Sequence, residues 1–492
     1  MGIPASGLVL IPLTLGFFVF SSYLAEWAIF CAVLQSTALV NVGGGFAVGL
    51  SPYFFVTALM ALRIVPQWAT GRIRFFAEEP VADHVRILAV FMIWCVFSAF
   101  ALPVLFAGLP VDSPRLGVDQ SYYIQSPLRW SPSNGGQAGY MVLNFVLVLG
   151  LLQLATRSGR LRSLKTAFSW SGVFVAGVGA YQVFGPHFGL SFPSWFFNSN
   201  EAWAQVPNQL IGENFSRMSA TFTEPSDAAA FLAAWSVFQL SLAIAGDGRN
   251  RWAWLWAAVG SLMLVETAST TGYVTAGIIW IVMVCDCGVA ILRHGWIKKK
   301  ATLAVLGLTG AAILALVVGG GRAWRLLDAV LFHKGDSKSA EHRTATFGRA
   351  VQVFQSSWGL GVGLGSNRAM SVFFYVLSNL GIPGTVLMVV LLAQLYSQTR
   401  RRIYRTGADP SIQGLMAAAA SALVADVISL LASGAEITQP RLWILWGLLL
   451  ATIRCDWLVE KDSMGKIQPT HEPQPDGSVR IAPYPLGVHK LV

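Results

Sequence analysis

Residues 84–108 read HVRILAVFMIWCVFSAFALPVLFAG, and no charged side chain follows Arg86 in this stretch. A helix of about 20 mainly apolar residues crosses the hydrocarbon core of a bilayer. Residues 84–108 are therefore predicted to form a transmembrane helix. The same criterion predicts further helices over 137–156, 166–185, 227–246, 252–268, 271–290, 302–319, 371–397, 411–433 and 441–455.

The composition of the whole chain supports this interpretation. Hydrophobic residues make up 54% of the sequence and charged residues only 12%, about half of the roughly 25% typical of soluble proteins. So few charges cannot cover a water-facing surface, which excludes a soluble enzyme, a disordered regulator and a free nucleic-acid-binding protein. Because residues 7–62 have room for two or three more helices, we expect an all-α, polytopic membrane protein with about 12 transmembrane helices (11–13) in one domain over residues 1–455.

Basic residues predict how the helices are oriented. They cluster in every second connection, as the positive-inside rule requires of cytoplasmic loops; the clusters follow Arg63, Arg157, Arg249, Arg293 and Arg400. Two long connections, over about 186–226 and 320–370, then lie outside and are predicted to contain short helices. We expect two helices before the Arg63 loop, with three as the alternative, and both chain ends in the cytoplasm. Residues 456–492 are polar and Pro-rich, which predicts a disordered cytoplasmic tail.

The 186–226 connection carries candidate functional residues next to a membrane helix. Arg217 and Glu224 flank an otherwise apolar stretch at the membrane edge, where a charge is costly unless it is paired or used. An ion pair between these two residues is the structural alternative. Trp195 and Trp203 are candidates for stacking on sugar rings, and aromatic residues at a membrane interface are the common alternative.

The 320–370 connection has more cations than anions, on the side where topology does not require them. An anionic ligand explains this excess, because guanidinium groups bind phosphate in a bidentate manner. The candidates are Arg325, His342, Arg343 and Arg349; exposed ion pairs are the alternative. The glycines in GLGVGLGS (359–366) permit either a close approach to a phosphate or a tight return of the chain into the membrane.

Three stretches, in this order, resemble the bacterial O-antigen ligase/polymerase superfamily. They are RMSATFTEPSDAAAFL (217–232), RTATFGRAVQVFQSSWGLGVGLGS (343–366) and YVLSNLGIPG (375–384). The resemblance implies an enzyme of the bacterial inner membrane that transfers glycosyl groups at its periplasmic face. The implied donor is an oligosaccharide on undecaprenyl diphosphate, and the reaction needs neither a metal nor another cofactor.

Two features favour a Wzy-type polymerase of exopolysaccharide, capsule or O-antigen over a ligase. The ligases usually carry a His shortly before the third stretch, where this chain has Met370 and Ser371, and Glu224-Pro225-Ser226 is more similar to polymerases. An O-antigen ligase with a lipid A-core acceptor remains the nearest alternative. A flippase for lipid-linked oligosaccharides is an alternative of another class.

Each step of the implied reaction has candidate residues. Arg217 and Arg343 are expected to stabilise the diphosphate leaving group, and Glu224 is expected to take the proton of the acceptor hydroxyl. Substrate binding is assigned to Arg349, His342, Arg325, Trp195 and Trp203. The expected partners are the lipid-linked oligosaccharide, the bilayer and a chain-length regulator or export complex, with no nucleic acid.

Overall fold

The computed structural model describes most of the 492-residue chain. The described residues are 2–43, 48–70, 79–112, 125–155, 158–202, 210–211, 215–245, 251–294, 338–403, 405, 409–434 and 436–465. Helices dominate this part of the chain, and the strands in it form only three short antiparallel hairpins.

The helices follow the apolar segments of the sequence. Their bounds, in chain order, are α1 Ala5–Phe20, α2 Leu24–Cys31, α3 Pro52–Ala69, α4 Ala82–Leu105, α5 Pro132–Leu154, α6 Ser158–Phe184, α7 Ser194–Phe197, α8 Pro225–Ala245, α9 Arg251–Glu266, α10 Thr270–His294, α11 Lys338–Ser356, α12 Val372–Ile403, α13 Pro410–Ser433 and α14 Pro440–Gly465. The strands are β1 Val40–Val42, β2 Val48–Leu50, β3 Pro110–Asp112, β4 Gln125–Pro127, β5 Leu210–Ile211 and β6 Phe215–Ser216.

Seven helices among the described residues are long and apolar enough to cross a membrane: α4, α5, α6 with its short 3-10 extension, α8, α12, α13 and α14. The all-α, multi-pass architecture is thereby confirmed, although the total near 12 stays a prediction. The segment 302–319 lies outside the described residues. Helices α1, α9 and α10 are also apolar, but their described apolar segments are only 10–17 residues long.

The helix bundle has two chemically different ends. At one end, which we call the basic end, Arg63 donates to the carbonyl of Ser21 (3.2 Å) and Arg160 to that of Ser22 (2.7 Å). Arg454 pairs with Glu79 at the same end (2.7 Å). The other end carries the hairpins β1–β2 and β3–β4, the β5–β6 pair and the 434–439 connection, and we call it the hairpin end.

The beginning of the chain differs from the preferred prediction. Gly2 and Asn41 exchange two backbone hydrogen bonds of 2.8 and 2.9 Å, so α1 starts at the hairpin end and finishes near Arg63. The chain therefore runs three times between the two ends by the end of α3, which fits the alternative of three segments, while the number of these segments that cross a membrane stays a prediction. A charge on α2 is tolerated because Glu26 contacts Arg160 (3.3 Å) and Ser163 (2.5 Å).

The last helix also runs further than the sequence predicts. It continues past Cys455 to Gly465, because Asp456 is buried and paired with Arg402 (2.7 Å) and Arg405 (2.9 Å). The first ten residues of the predicted tail are thus helical, and residues 466–492 lie outside the described part.

Candidate functional site

The segment that leads into α8 is held deep in the hairpin end. The backbone N–H groups of Ser219 and Ala220 both donate to Oε1 of Gln182 (2.9 and 2.7 Å). The N–H of Ser36 donates to the carbonyl of Thr221 (3.1 Å). Met218, Ala220 and Thr221 are fully buried. These contacts fix the backbone on which both Arg217 and Glu224 are carried.

Arg217 and Glu224 have different partners at the two ends of this segment. Arg217 Nε donates to the carbonyl of Thr267, in the turn between α9 and α10 (3.4 Å). The Ser226 hydroxyl donates to Oε2 of Glu224 (3.2 Å), at the start of α8. Both residues lie at the hairpin end, and their position outside the membrane and their roles in catalysis stay predictions.

Three charged residues from three helices meet beside Glu224. Arg441, at the start of α14, donates from Nε to Asp426 on α13, and its Nη1 lies 3.6 Å from Asp227 on α8. Arg441 and Asp426 are both buried. Because a buried charge is costly without a partner, this triad ties α8, α13 and α14 together at the hairpin end.

A fourth carboxylate, Glu436, lies in the short connection between α13 and α14. The Thr438 hydroxyl lies 3.3 Å from Glu436 Oε2 and 2.7 Å from Gln137 Oε1, and the Gln137 side chain hydrogen-bonds to Glu436. Burial raises the pKa of Glu436 above its usual value; the hydrogen bonds and the charge of Arg368 oppose this effect. A carboxylate with a raised pKa is a better proton acceptor near neutral pH than an exposed one.

Arg368, in the loop that joins α11 to α12, acts electrostatically on Glu436. Arg349 on α11 donates to the buried Asp112 of β3 (2.8 Å). Asp112 in turn accepts the backbone N–H of Arg368 (3.0 Å) and donates its own to Asn367 Oδ1 (3.0 Å). The predicted residue Arg349 is thus ion-paired, and Arg368 carries positive charge toward Glu436.

The glycine run 359–366 packs against protein backbone. The N–H groups of Val362 and Gly363 donate to the carbonyls of Ser378 and Asn379 on α12 (2.9 and 2.8 Å). A Cβ atom on Gly361 would lie 2.6 Å from the carbonyl oxygen of Asn379. The glycines therefore let the chain return closely against a kink in α12, where Gly381 has φ 64°.

The structure describes the side chains of only some of the aromatic and basic residues that were predicted to bind substrate. Trp195 lies on α7, with 64% of its surface exposed and its ring edge-on to Phe196, a position that suits a membrane-interface residue. Arg343 and His342 lie on the first turns of α11, but their side chains are outside the described part. Trp203 and Arg325 also lie outside the described residues.

A cleft opens between Glu436 and the N-terminal part of the chain. It is lined by residues of α2 and the segment after it, the β1–β2 hairpin, α3, α5, the segment after α7 and the 436–440 segment: Cys31, Ala32, Leu34, Gln35, Gly49, Ser51, Tyr53, Phe54, Tyr140, Asn200, Glu436, Thr438, Gln439 and Pro440. Glu436 brings a carboxylate to this cleft, and the charge of Arg368 in the α11–α12 loop acts on that carboxylate.

Sequence reasoning missed Glu436, Arg441, Asp112 and Arg368. One signal was present: Glu436 stands in a connection of a few residues between two apolar helices, and Arg441 stands at the start of the second, where a charge has little room to reach water. Asp112 and Arg368 carried no such signal, because only the fold brings them together.

No protein-family model matches this sequence, and a search of curated proteins finds no match. The arguments for function therefore depend on the arrangement of this chain's own residues.

Proposed function

We propose that this protein is a Wzy-type polysaccharide polymerase. It transfers a growing glycan from undecaprenyl diphosphate to the next lipid-linked repeat unit, at the periplasmic face of the bacterial inner membrane. The observation that carries the proposal is the position of Glu436. This half-buried carboxylate lines a cleft and is acted on by the positive charge of Arg368, an arrangement that suits a glycosyl transfer from a diphosphate.

The proposed roles of the residues follow from their charges. The leaving diphosphate gains negative charge as the glycosidic bond breaks, and fixed cations lower that barrier. Arg368 and Arg349 join the predicted Arg217 and Arg343 as candidates for this role. Glu436 joins Glu224 as a candidate base, and it is the better placed of the two because it lines the cleft.

The arrangement of the three family-like stretches supports the proposal. The second and third stretches pack on each other through the backbone hydrogen bonds between Gly363 and Asn379. The first stretch contains Asp227, which contacts Arg441 and, like Arg368, acts electrostatically on Glu436. Stretches that are distant in sequence thus meet at one end of the bundle.

The charges within the helices favour an enzyme over a flippase. A flippase needs charged groups along a path through the bilayer. Among the described residues, Glu26 is paired with Arg160 at the basic end and Asp426 with Arg441 at the hairpin end. These pairs stabilise helix contacts at opposite ends of the bundle.

A deletion strain tests the proposal directly. We expect deletion of the gene to leave single repeat units, and the wild-type gene to restore a ladder of polymer on a gel of extracted polysaccharide. Arg343→Ala, at normal protein abundance, should give only single units. Long polymer left on its lipid carrier would instead indicate the ligase, and repeat units retained on the cytoplasmic side would indicate the flippase.

A further inference from the structure

The cleft beside Glu436 has the chemistry of a site for an uncharged, hydroxyl-rich ligand. Its lining includes three side-chain amides and three aromatic rings, and no Lys or Arg belongs to it among the described residues. The rings of Phe54 and Tyr140 stack with centroids 3.9 Å apart and an angle of 12°, which provides a rigid, flat apolar surface.

The amide groups of the cleft are positioned to bind hydroxyls. Gln35 Nε2 donates to Gln439 Oε1 (3.3 Å), while Gln35 Oε1 is buried and accepts no hydrogen bond from the described residues. The cavity volume is about 50 Å³, which accommodates a hydroxyl-bearing group of a saccharide and leaves the rest of the ligand outside the cleft. A diphosphate does not suit this cleft, because Glu436 would repel it and the arginines lie elsewhere.

We propose that this cleft binds the acceptor saccharide, with its attacking hydroxyl held at Glu436. The assignment rests on the function proposed above. In the reaction, the acceptor oxygen forms a bond to the anomeric carbon of the donor, and the hydroxyl proton passes to the Glu436 carboxylate. The bond between that carbon and the phosphate oxygen breaks, and its electron pair leaves with the lipid diphosphate on the side of Arg368.

Protection of a cysteine from alkylation tests this assignment. Gln35→Cys places a thiol in the cleft, in a background where Cys31 is replaced by Ala, and Gln439→Cys provides a second reporter if the first does not fold. The probes are the lipid-linked repeat unit extracted from the deletion strain, the free saccharide released from it by mild acid, and undecaprenyl diphosphate alone. Ser191→Cys, exposed at the same end of the bundle, is the control position.

We expect the lipid-linked repeat unit and the free saccharide to slow alkylation in the cleft about tenfold when present at about ten times their Kd. Undecaprenyl diphosphate should not protect the thiol, and none of the probes should protect Ser191→Cys. Adding Tyr140→Ala should weaken protection by the saccharide, and Tyr140→Phe should keep it, because the ring is retained.

The possible outcomes distinguish a failure of the acceptor-site proposal from a failure of the proposed polymerase function. Protection by undecaprenyl diphosphate alone would assign the cleft to the carrier and overturn the proposal. Unchanged alkylation, while the wild-type gene still restores a ladder, would overturn the acceptor site and leave the polymerase standing. A deletion strain that accumulates no lipid-linked repeat unit would overturn the proposed function and the acceptor site with it.

Discussion

At the scale of the residue, Glu436 is expected to accept the proton of the acceptor hydroxyl. Glu436→Gln keeps the shape of the side chain and its contacts with Thr438 but cannot take a proton. We expect polymer formation to fall about 10²–10⁴-fold, measured as the rate of chain growth by the purified protein. Glu201→Gln, an exposed position at the same end, should retain full activity. Equal rates for both variants would remove Glu436 from the mechanism.

The pH dependence of the reaction should also report on Glu436. Only the ionised carboxylate accepts a proton, so the rate is maintained above its pKa and lost as the pH falls through it. Because burial raises the pKa of Glu436, the loss should begin at a higher pH than for an exposed glutamate. A pH–rate profile measures this acid limb, which should disappear from the residual activity of Glu436→Gln. A limb that persists in the variant would belong to another group, with Glu224 the first to examine.

The contrast between Glu224 and Glu436 shows what a sequence can predict about such a site. Glu224 can be identified from the sequence because a charge in an apolar stretch at a membrane edge is costly unless it is paired or used. Glu436 receives its environment from Gln137, more than 290 positions earlier in the chain. Burial raises the pKa of Glu436 and the hydrogen bond from Gln137 opposes that rise; both effects come from the fold, and no local sequence pattern indicates them.

At the scale of the element, the return loop 359–366 depends on the absence of side chains. Gly361 has φ 81°, a conformation that costs other residues about 1–2 kcal/mol, and an added Cβ would lie 2.6 Å from the Asn379 carbonyl oxygen. We expect Gly361→Ala to lower the free energy of unfolding by about 2 kcal/mol or more. Gly348→Ala, on α11 with open space around it, should be neutral or stabilising in the same denaturation measurement. Similar stabilities for the two variants would contradict the close packing.

A second prediction at this scale concerns the charged triad of Arg441, Asp426 and Asp227. Arg441→Met leaves Asp426 buried without its cation, which should cost about 3–5 kcal/mol. Arg441→Met combined with Asp426→Leu removes both charges and should recover much of this loss. Breaking the exposed pair of Asp83 and Arg86 with Asp83→Asn should cost only about 0–1 kcal/mol. Denaturant titrations of the four proteins measure these differences, and a double variant less stable than Arg441→Met would contradict the proposed pairing.

The bounds of the apolar helices were predictable because a helix in contact with lipid needs a run of about 20 mainly apolar residues, which is visible in the sequence. The predicted helix over 227–246 corresponds to Pro225–Ala245, and that over 411–433 to Pro410–Ser433. The end of α14 was not predictable, because Asp456 is polar in sequence and becomes part of a helix only through Arg402 and Arg405. Tertiary ion pairs thus extend a helix beyond the point at which its composition suggests a stop.

At the scale of the whole molecule, the three passes made by α1, α2 and α3 place Gly2 and Gly465 at opposite ends of the bundle. The basic end should face the cytoplasm, because clustered Lys and Arg residues are retained on that side. The hairpin end, with Glu436 and its cleft, then faces the periplasm, where the lipid-linked repeat units are expected.

Single cysteines test this orientation. We expect a membrane-impermeant maleimide to label Ser191→Cys and Gly2→Cys in intact cells, and to label Ser463→Cys only after the membrane is permeabilised. The background is the protein with Cys285 and Cys287 replaced by Ala, in which the remaining Cys31, Cys95 and Cys455 are buried. Labelling of Gly2→Cys together with Ser463→Cys would contradict the third pass. Labelling of Ser463→Cys alone in intact cells would invert the molecule and place Glu436 on the side away from a periplasmic acceptor.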